Sequence, residues 1–353
     1  QGPADQNIQV ELLGKLGLIS MKFSLGLSMD DISKYIRNIK ARNFTIGIIG
    51  LGYVGLPLAL VFGENNFRVL GFDIDDTKVK KLRNGNSYIH HLPSEKVNLL
   101  TKKGSFVPTS NFELLSEVDA IIICVPTPLA TTREPDLSYI KSTAEQIALQ
   151  LRKGQMVILE STTYPGSSAD VLKPILETSG LKSGKEFYLA YSPEREDPGN
   201  ANFATSSIPK VVGGDGQKAL KAACALYDEI VVETVPVSSL EVAEAVKLTE
   251  NVFRSVNIAL VNELKSIFSK MEIDIWEVIS AAKTKPFGYM PFYPGPGLGG
   301  HCIPIDPLYL SWKLRALNYQ AQFIELADAI NTRMPGFVVR LVQDALNDHK
   351  TCP

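Results

Sequence analysis

Residues 45–60 have the sequence TIGIIGLGYVGLPLAL, and this stretch decides the fold. Its apolar start, Thr45–Ile49, predicts a short buried strand, and its apolar end predicts a buried helix. Between them, Gly50, Gly52 and Gly55 form the pattern Gly-x-Gly-x-x-Gly. In a strand–turn–helix unit the first glycine permits a tight turn, the second lets the backbone approach a pyrophosphate, and the third permits close helix–strand packing. The stretch therefore predicts a dinucleotide-binding turn, with a helix N-terminus facing the anion.

An acidic residue follows at the position that would select the dinucleotide. Asp73 directly follows the next predicted strand, Arg68–Phe72. Its carboxylate suits free ribose hydroxyls and repels a 2′-phosphate, so the sequence predicts NAD rather than NADP. Simpler alternatives are a glycine turn without a ligand, a solvated Lys78 and a stiff proline turn at residues 125–128. Five neighbouring residues complete the candidate cofactor site: Tyr53, Val54, Lys78, Pro126 and Thr127.

Strand and helix patterns continue to alternate up to about residue 236. Such alternation implies a parallel sheet with helices on both faces. We therefore predict an α/β fold whose N-terminal part is a Rossmann-like, doubly wound parallel sheet. Apolar runs predict its further strands at Ala120–Val125, Met156–Glu160, Phe187–Tyr191, Val211–Val212 and Ile230–Val235.

The pattern becomes all-helical after Pro236. Ser239 can cap a helix that continues to about Lys270, with Glu241 and Glu244 favourably placed near its N-terminus. A helix of about 30 residues would be about 45 Å long, which suits a domain linker or a dimer seam. The segments predicted after it are four shorter helices and one loop rich in glycine and proline: Ile275–Ala282, the loop Lys285–Pro307, Leu308–Leu317, Ala321–Asn331 and Gly336–Asn347.

These patterns divide the chain into four predicted parts. Residues 1–42 form an N-terminal extension with a helix, since Ile32, Tyr35, Ile36 and Ile39 have helical spacing. The other parts are an NAD-binding domain at 43–237, a central helical domain for dimerisation and catalysis at 238–347, and the start of a linker at 348–353.

Composition and charge exclude several classes of function. The 353 residues include 36 Lys+Arg and 38 Asp+Glu, so the formal net charge is −2, which argues against a general binder of nucleic acid or anionic membranes. The uncharged stretch 46–63 has the length of a membrane span, but its glycines and Pro57 favour a strand, a turn and a helix. The four cysteines show no CxxC pair and no zinc spacing. We therefore expect no metal site and a reducing, cytoplasmic environment.

Three places carry side chains that are suited to catalysis. Lys247 and Asn251 are four residues apart on the long predicted helix, so they share one face and can polarise a substrate oxygen; a solvated polar face is the alternative. Cys302 lies in GLGGHCIPIDP, four residues before Asp306. Its thiolate can attack an aldehyde to give a thiohemiacetal, which loses hydride to give a thioester; a buried structural cysteine is the alternative. Hydroxyls at 161–163 end another predicted strand, as helix caps or active-site groups.

Taken in order, these segments resemble one protein family. They are GIIGLGYVGLPLA, the Val125–Pro128 turn, Glu160–Thr162, Tyr191–Glu194, the helix with Lys247 and Asn251, and GGHCIPIDP. In this combination, residues 43–347 resemble the UDP-glucose/GDP-mannose dehydrogenase family. Within it, SPEREDPGN at 192–200 and GPGLGGHCIPIDP at 295–307 resemble the UDP-N-acetylhexosamine 6-dehydrogenases, above all those that act on UDP-N-acetylglucosamine.

The resemblance implies an NAD-dependent, four-electron oxidation of the sugar C6 from alcohol to carboxylate, without release of the aldehyde. Cys302 would be the nucleophile, and we expect Lys247 and loop N–H groups to lower its pKa. Lys247 and Asn251 would steady the oxyanion or the substrate hydroxyl, and Asp306 would move a proton or position water. The other implied roles are water steps for Thr162 and Glu194, a cofactor contact for Thr162, and substrate contacts for Glu194, Arg195, Lys247, Asn251, Tyr293 and Gly297.

Two departures from the family limit what can be transferred. Ile305 stands where UDP-glucose dehydrogenases carry a lysine, so roles that depend on that lysine are not carried over. The family normally continues into a third, UDP-binding domain, and this sequence stops where that domain should start, either as a fragment or as a chain without the domain. If the domain is truly absent, we expect weak nucleotide-sugar binding and little turnover.

Three alternatives stay open at this point. They are a UDP-glucose or UDP-N-acetylmannosamine 6-dehydrogenase, a two-electron NAD dehydrogenase of the β-hydroxyacid type, which needs no thiol, and a non-catalytic dinucleotide-binding scaffold. The expected partners are a UDP-sugar and a second copy of the chain along the central helix.

Overall fold

The computed structural model describes residues 29–90, 92–195, 207–300 and 302–350. The predicted segments 1–28 and 351–353 lie outside the described residues. The candidate segment 193–200 is described only as far as Arg195.

An eight-stranded sheet forms the centre of the N-terminal part. Its strand order is β3-β2-β1-β4-β5-β6-β7-β8. Strands are added to one side of β1 up to β3 and to the other side from β4 onward, and in such sheets ligands bind at this switch point, beyond the carboxyl ends of the strands. All pairs are parallel except β6–β7, so the predicted doubly wound parallel sheet is confirmed with one antiparallel pair near its edge. The strands are β1 Thr45–Ile49, β2 Arg68–Phe72, β3 Phe106–Thr109, β4 Ala120–Ile123, β5 Met156–Leu159, β6 Tyr188–Tyr191, β7 Lys210–Gly214 and β8 Thr234–Pro236.

Helices cover both faces of this sheet, as the strand–helix alternation predicts. Successive side chains of a strand point to opposite faces: Ile122 joins the apolar cluster on one face, and Ile121 and Ile123 join the cluster on the other. The helices of this part are α1 Met29–Lys40, α2 Gly55–Glu64, α3 Asp76–Arg83, α4 Ser94–Lys103, α5 Ser138–Gln150, α6 Lys173–Leu176 and α7 Gln217–Tyr227.

The predicted N-terminal helix, α1, is confirmed and packs on the sheet. Tyr35 contacts the rings of Phe44 and Tyr188 edge-on, at centroid distances of 5.1 and 5.2 Å. Its hydroxyl donates to the Asp119 carbonyl at 3.2 Å. The helix therefore covers part of the sheet face that α7 also covers.

The second part of the chain is helical, with one correction to the prediction. Its helices are α8 Leu240–Lys270, α9 Ile275–Ala282, α10 Asp306–Arg315 and α11 Gln322–Lys350. The prediction of separate helices at 321–331 and 336–347 is wrong, because Pro335 lies inside the continuous α11. Proline has no N–H, so the Asn331 carbonyl loses its partner within the helix. The loop backbone at Gly297 packs against that carbonyl, and a Cβ there would lie 2.6 Å from the oxygen.

The long helix α8 is fastened to the sheet by a buried carboxylate. Glu244 accepts hydrogen bonds from the Gly166 N–H at 2.6 Å, the Ser168 N–H at 2.8 Å and the Ser167 hydroxyl at 2.9 Å. Burial raises its pKa, against these hydrogen bonds. Glu244 therefore accepts hydrogen bonds from the turn after β5. This role is additional to the favourable charge that we predict for it near the N-terminus of α8.

The uncharged stretch 46–63 forms most of β1, the glycine turn and most of α2. Among the described residues, no helix combines the length and the apolar character needed to cross a membrane.

We predict that Glu244→Gln lowers the free energy of unfolding by about 2–4 kcal/mol. Glutamine has one acceptor oxygen, and its NH2 group would face a buried N–H donor. The measurement is chemical denaturation, with Glu241→Gln as the control, since Glu241 is exposed in the same helical turn. A loss no larger than that of the control would contradict the anchoring role.

Candidate active site

The glycine turn has the geometry that the sequence predicts. Gly50 has φ +91°, its N–H donates to the Phe72 carbonyl at 2.8 Å, and a Cβ there would lie 2.6 Å from the Cys124 carbonyl oxygen. A Cβ on Gly55 would collide with the Gly50 carbonyl. At Gly52 a Cβ would meet nothing within 4 Å, so the backbone is open to a ligand there.

The N-terminus of α2 and the carboxylate of Asp73 complete a site that fits NAD. Within the described residues no side chain caps α2, and its first turn holds no acidic residue, so its N–H groups are suited to an anion. Asp73 is buried and accepts from the N–H groups of Leu51 at 3.0 Å and Asp75 at 2.9 Å. These bonds hold the carboxylate at the end of β2, where a ribose would lie.

Lys78 is tied to this carboxylate and is half-exposed. Its Nζ lies 3.9 Å from Asp73 Oδ2 and 5.8 Å from the centroid of the Tyr88 ring. The Tyr88 hydroxyl donates to the Leu51 carbonyl and so braces the glycine turn, a role that nothing in the local sequence pattern indicates. The side chain of Tyr53 is largely exposed beside the turn, and Val54 packs partly against the core.

Two further loops meet at the same sheet edge. The Ser161 hydroxyl, after β5, donates to the Val125 carbonyl, after β4, at 2.7 Å. Thr162 is half-buried next to it, Pro126 is exposed, and Thr127 accepts through its carbonyl from the hydroxyl of Tyr309 in α10. The cofactor edge of the sheet is therefore in contact with the helical part of the chain.

Lys247 and Asn251 are buried, which excludes the alternative of a solvated face. Lys247 Nζ donates to the Glu194 carbonyl. Asn251 Nδ2 donates to Asp306 Oδ2 at 2.6 Å. Helix α8 thus reaches both the segment after β6 and the first turn of α10.

Arg195 makes contacts that hold its own segment in place. Its guanidinium forms an ion pair with Glu250 of α8 at 2.6 Å and donates to the Pro209 carbonyl at 2.7 Å. The neighbouring Glu194 is half-buried.

Cys302 is exposed as a whole residue, although its thiol is partly desolvated, which argues against the alternative of a buried structural cysteine. Its carbonyl accepts from the N–H of Asp306 at 2.8 Å, so the residue lies in a turn that leads directly into α10. Desolvation and the nearby Asp306 raise the pKa of its thiol, although Lys247 and Arg254 lower it. The expectation of a lowered thiol pKa is therefore wrong, because the carboxylate and the partial burial outweigh the cations.

Asp306 has a protonation equilibrium close to neutrality. Burial raises the pKa of its carboxyl to about 6, against Lys247 and the hydrogen bond from Asn251. A group of this kind can accept and return a proton near neutral pH.

Two of the predicted substrate-binding residues, Tyr293 and Gly297, contact other parts of the helical domain, and no contact among the described residues links them to the Cys302 thiol. Tyr293 stacks on Trp276 of α9, with ring centroids 6.1 Å apart. Gly297, with φ +100°, packs against α11. Their roles at the substrate stay predictions.

The described residues contain no group of three or more His, Cys, Asp or Glu side chains that could hold a metal ion.

A buried polar group connects the ends of β5, β7 and α7. In it, Glu160 forms an ion pair with Lys210 at 3.2 Å and accepts from the Tyr227 hydroxyl. Burial raises the pKa of Glu160 in this group.

Comparisons with known proteins agree with this geometry. Residues 44–231 match the NAD binding domain of the UDP-glucose/GDP-mannose dehydrogenase family, and residues 241–333 match the central domain of the same family.

Similar proteins carry related names. A UDP-N-acetyl-D-glucosamine 6-dehydrogenase of Pseudomonas aeruginosa is 39% identical over 307 residues, which are 86% of this chain and 71% of the relative. One from Salmonella typhi is 38% identical over 296 residues, 83% of this chain and 68% of the relative. A solved structure of a UDP-D-ManNAc dehydrogenase from Pyrococcus horikoshii superposes with a TM-score of 0.81 at 35% identity, over 87% of this chain and 72% of that one.

With the NAD site, the thiol and these matches in agreement, the chain belongs to the UDP-glucose/GDP-mannose dehydrogenase family of NAD-dependent oxidoreductases that act on nucleotide sugars.

Proposed function

We propose that this protein oxidises C6 of a UDP-N-acetylhexosamine, foremost UDP-N-acetylglucosamine, from alcohol to carboxylate. One observation carries the proposal: an exposed thiol, Cys302, lies in the turn before Asp306, and Asp306 accepts from Asn251 on the helix face that also carries Lys247. A two-electron alcohol oxidation has no use for a thiol, so this arrangement favours four electrons over a β-hydroxyacid-type reaction. The balance is two NAD+ and one water consumed for each carboxylate formed.

The first oxidation needs a base and a stabilised oxygen. Asp306 takes the proton of the C6 hydroxyl, since much of its carboxyl is ionised at neutral pH. The ammonium of Lys247 stabilises the negative charge that develops on that oxygen. The glycine turn and Asp73 would hold NAD+, which would supply the hydride acceptor for C6, so that this oxidation would give an aldehyde.

The second oxidation uses the thiol. After Asp306 has passed the first proton to solvent and is ionised again, Cys302 Sγ attacks the aldehyde carbon and its proton goes, directly or through water, to that carboxylate. The product is a thiohemiacetal whose oxygen is stabilised by Lys247. Loss of a second hydride converts the thiohemiacetal to a thioester, so the aldehyde stays covalently attached between the two oxidations.

Hydrolysis releases the acid. Glu194 takes a proton from the attacking water, and Thr162 orients that water, so that the carbon–sulfur bond breaks and the thiol is restored. In this proposal Glu194, Arg195, Tyr293, Gly297 and the side chains on α8 contact the sugar nucleotide. The segment 193–200 and the loop 292–300 admit the 2-acetamido group.

Similarity supports an N-acetylated sugar. The Pseudomonas aeruginosa relative at 39% identity and the Pyrococcus horikoshii structure at 35% are both named for N-acetylated substrates. Ile305, in place of the lysine of UDP-glucose dehydrogenases, also favours an N-acetylated substrate.

We assign NAD binding to residues 43–237, dimerisation and catalysis to 238–347, and the site of action to the cytoplasm.

The substrate is tested with a panel of UDP-sugars and NADH formation by the complete protein. We expect kcat/KM for UDP-N-acetylglucosamine or its galacto epimer to exceed that for UDP-glucose by about tenfold or more, since a pocket built for a polar group is left unsatisfied by a substrate that lacks it. A tenfold preference for UDP-glucose would overturn the substrate assignment.

The mechanism is tested with Cys302→Ser. We expect this variant to bind NAD+ as the wild type does but to lose steady-state acid formation by about three orders of magnitude or more, because serine is a poor nucleophile toward the aldehyde. The measurement is uronic acid formed per NADH, by mass spectrometry. Cys224→Ser is the matched control, since Cys224 lies on α7, outside the glycine loop. Near-normal acid formation by Cys302→Ser would rule out covalent catalysis.

We further propose a homodimer along α8. Phe253, Leu260 and Ile267 are exposed and seven residues apart on this helix. Such spacing produces a narrow apolar stripe, as in helix pairs that pack along their length. The same stripe on a second copy would be its own partner about a two-fold axis.

Sedimentation at about micromolar concentration tests the dimer, which should bury an interface of standard size. We expect wild type to sediment as a dimer or larger and Leu260→Lys to shift toward monomer. Leu149→Lys, at an exposed leucine of α5, should leave the assembly unchanged. A monomeric wild type, or equal behaviour of the two variants, would contradict the proposal.

A further inference from the structure

Two buried asparagines, Asn262 on α8 and Asn331 on α11, have no part in the chemistry proposed above. Both side chains are almost completely removed from solvent, with 0% and 3% exposure. A buried amide is costly unless its donors and acceptor are paired, so their arrangement needs an explanation beyond packing.

The two amides form a chain of hydrogen bonds that ends on the segment from Gly295 to Asp306, which contains Cys302 and is called the thiol loop below. Asn331 Nδ2 donates to the Ser255 carbonyl of α8 at 3.1 Å. Asn262 Nδ2 donates to Asn331 Oδ1 at 2.9 Å. The remaining acceptor, Asn262 Oδ1, receives the N–H of Gly295 at 2.9 Å. The loop backbone is thereby bonded to two helices through one side chain.

A second contact holds the same loop against α11. Pro335 leaves the Asn331 carbonyl without its partner within the helix, and the Gly297 backbone lies against that oxygen. The φ of +100° at Gly297 and the close approach both demand glycine. Asn331 therefore meets the loop through its main chain and, by way of Asn262, through its side chain.

The other end of the loop is held by the same helix. Asn251 bonds the carboxylate of Asp306, so α8 fastens the loop at Gly295 and at Asp306. Asn251 and Asn262 are 11 residues apart on α8 (262 − 251), and so are the loop residues Gly295 and Asp306 (306 − 295). Eleven helical residues span about 16 Å, and the thiol of Cys302 lies in the chain between the two fastenings.

We propose that Asn262 and Asn331 are positioning residues that hold the loop 295–300 so that the Cys302 thiol stays beside Asp306 and Lys247. Three glycines, Gly297, Gly299 and Gly300, lie between the fastenings, so the loop has little side-chain packing of its own. This inference deepens the proposed function and rests on the role assigned there to Cys302.

The test compares Asn262→Leu and Asn331→Leu with wild type by two readouts. The first is kcat with UDP-N-acetylglucosamine, which we expect to fall by about 100-fold, with KM for NAD+ unchanged, because small misplacements of a reacting group have effects of that size. The second is the pH profile of Cys302 alkylation by iodoacetamide, followed by peptide mass. Release of the loop takes the thiol away from Asp306, so we expect alkylation at pH 8 to become about threefold faster or more.

Gln155→Met is the matched control. Gln155 is fully buried at the opposite end of β5 and makes hydrogen bonds with Leu115, Val118 and Arg152 at 2.7–2.8 Å. It should lower the melting temperature about as much as the asparagine variants, yet leave the alkylation profile and kcat close to wild type.

Gly297→Ala provides an independent variant that keeps both amides. Its Cβ would push the loop off the Asn331 carbonyl, and we expect the same change in alkylation. Asparagine variants that match Gln155→Met in both readouts would overturn the positioning role. Alkylation does not require Cys302 to be catalytic, so a failure here is distinguishable from a failure of Cys302→Ser to stop acid formation.

Discussion

The buried polar face of helix α8 is the constraint on which the rest of the site depends. Glu244, Lys247, Asn251 and Asn262 lie on this face at spacings of three, four and eleven residues, and each is almost completely buried. Buried polar groups must be paired, and each of these is paired with a different segment. The four partners are the turn after β5, the Glu194 carbonyl, the first residue of α10, and the loop at Gly295.

This face explains how residues distant in sequence come to lie close together. Glu244 fastens α8 to the turn after β5, Lys247 reaches the Glu194 carbonyl, and Asn251 and Asn262 bond the two ends of the thiol loop. Helix α10 links the thiol loop to the cofactor site, because the Tyr309 hydroxyl donates to the Thr127 carbonyl at that edge of the sheet. The cofactor crevice and the thiol therefore belong to one packed unit. The buried Asp306, with a pKa of about 6, lies where the two meet.

Local rules predicted most of the fold, and long-range contacts account for what they missed. The glycine turn, Asp73 and six of the strands follow from patterns within a few residues, whereas the strand predicted at Ile230–Val235 overlaps β8 only at its end. Strand β3 was not predicted because it is short and contains Pro108, which is tolerated at a sheet edge. The division of α11 at Pro335 was wrong because the Gly297 loop backbone covers the carbonyl that proline leaves unpaired.

The site residues show the same contrast between what local sequence patterns predict and what long-range contacts determine. Asp306, Lys247 and Cys302 could be selected from spacing and residue type, but the direction of the thiol pKa could not, since it depends on partial burial and on a carboxylate brought close by the turn. The hydrogen bond between Asn262 and Asn331 could not be predicted from the sequence, because the two residues are 69 positions apart. Glu244 was noticed for its own helix, while its hydrogen-bond partners lie 76 to 78 residues away.

The most direct measurement is a search for the sugar on sulfur during turnover. Glu194→Gln should slow hydrolysis of the thioester, so the complete protein with this change is mixed with UDP-N-acetylglucosamine and NAD+, quenched in acid and mapped by peptide mass. We predict a uronyl adduct on the peptide that contains Cys302, which hydroxylamine removes as it does a thioester. Acid formation without any adduct on that peptide, or an adduct confined to Cys124 or Cys224, would contradict it.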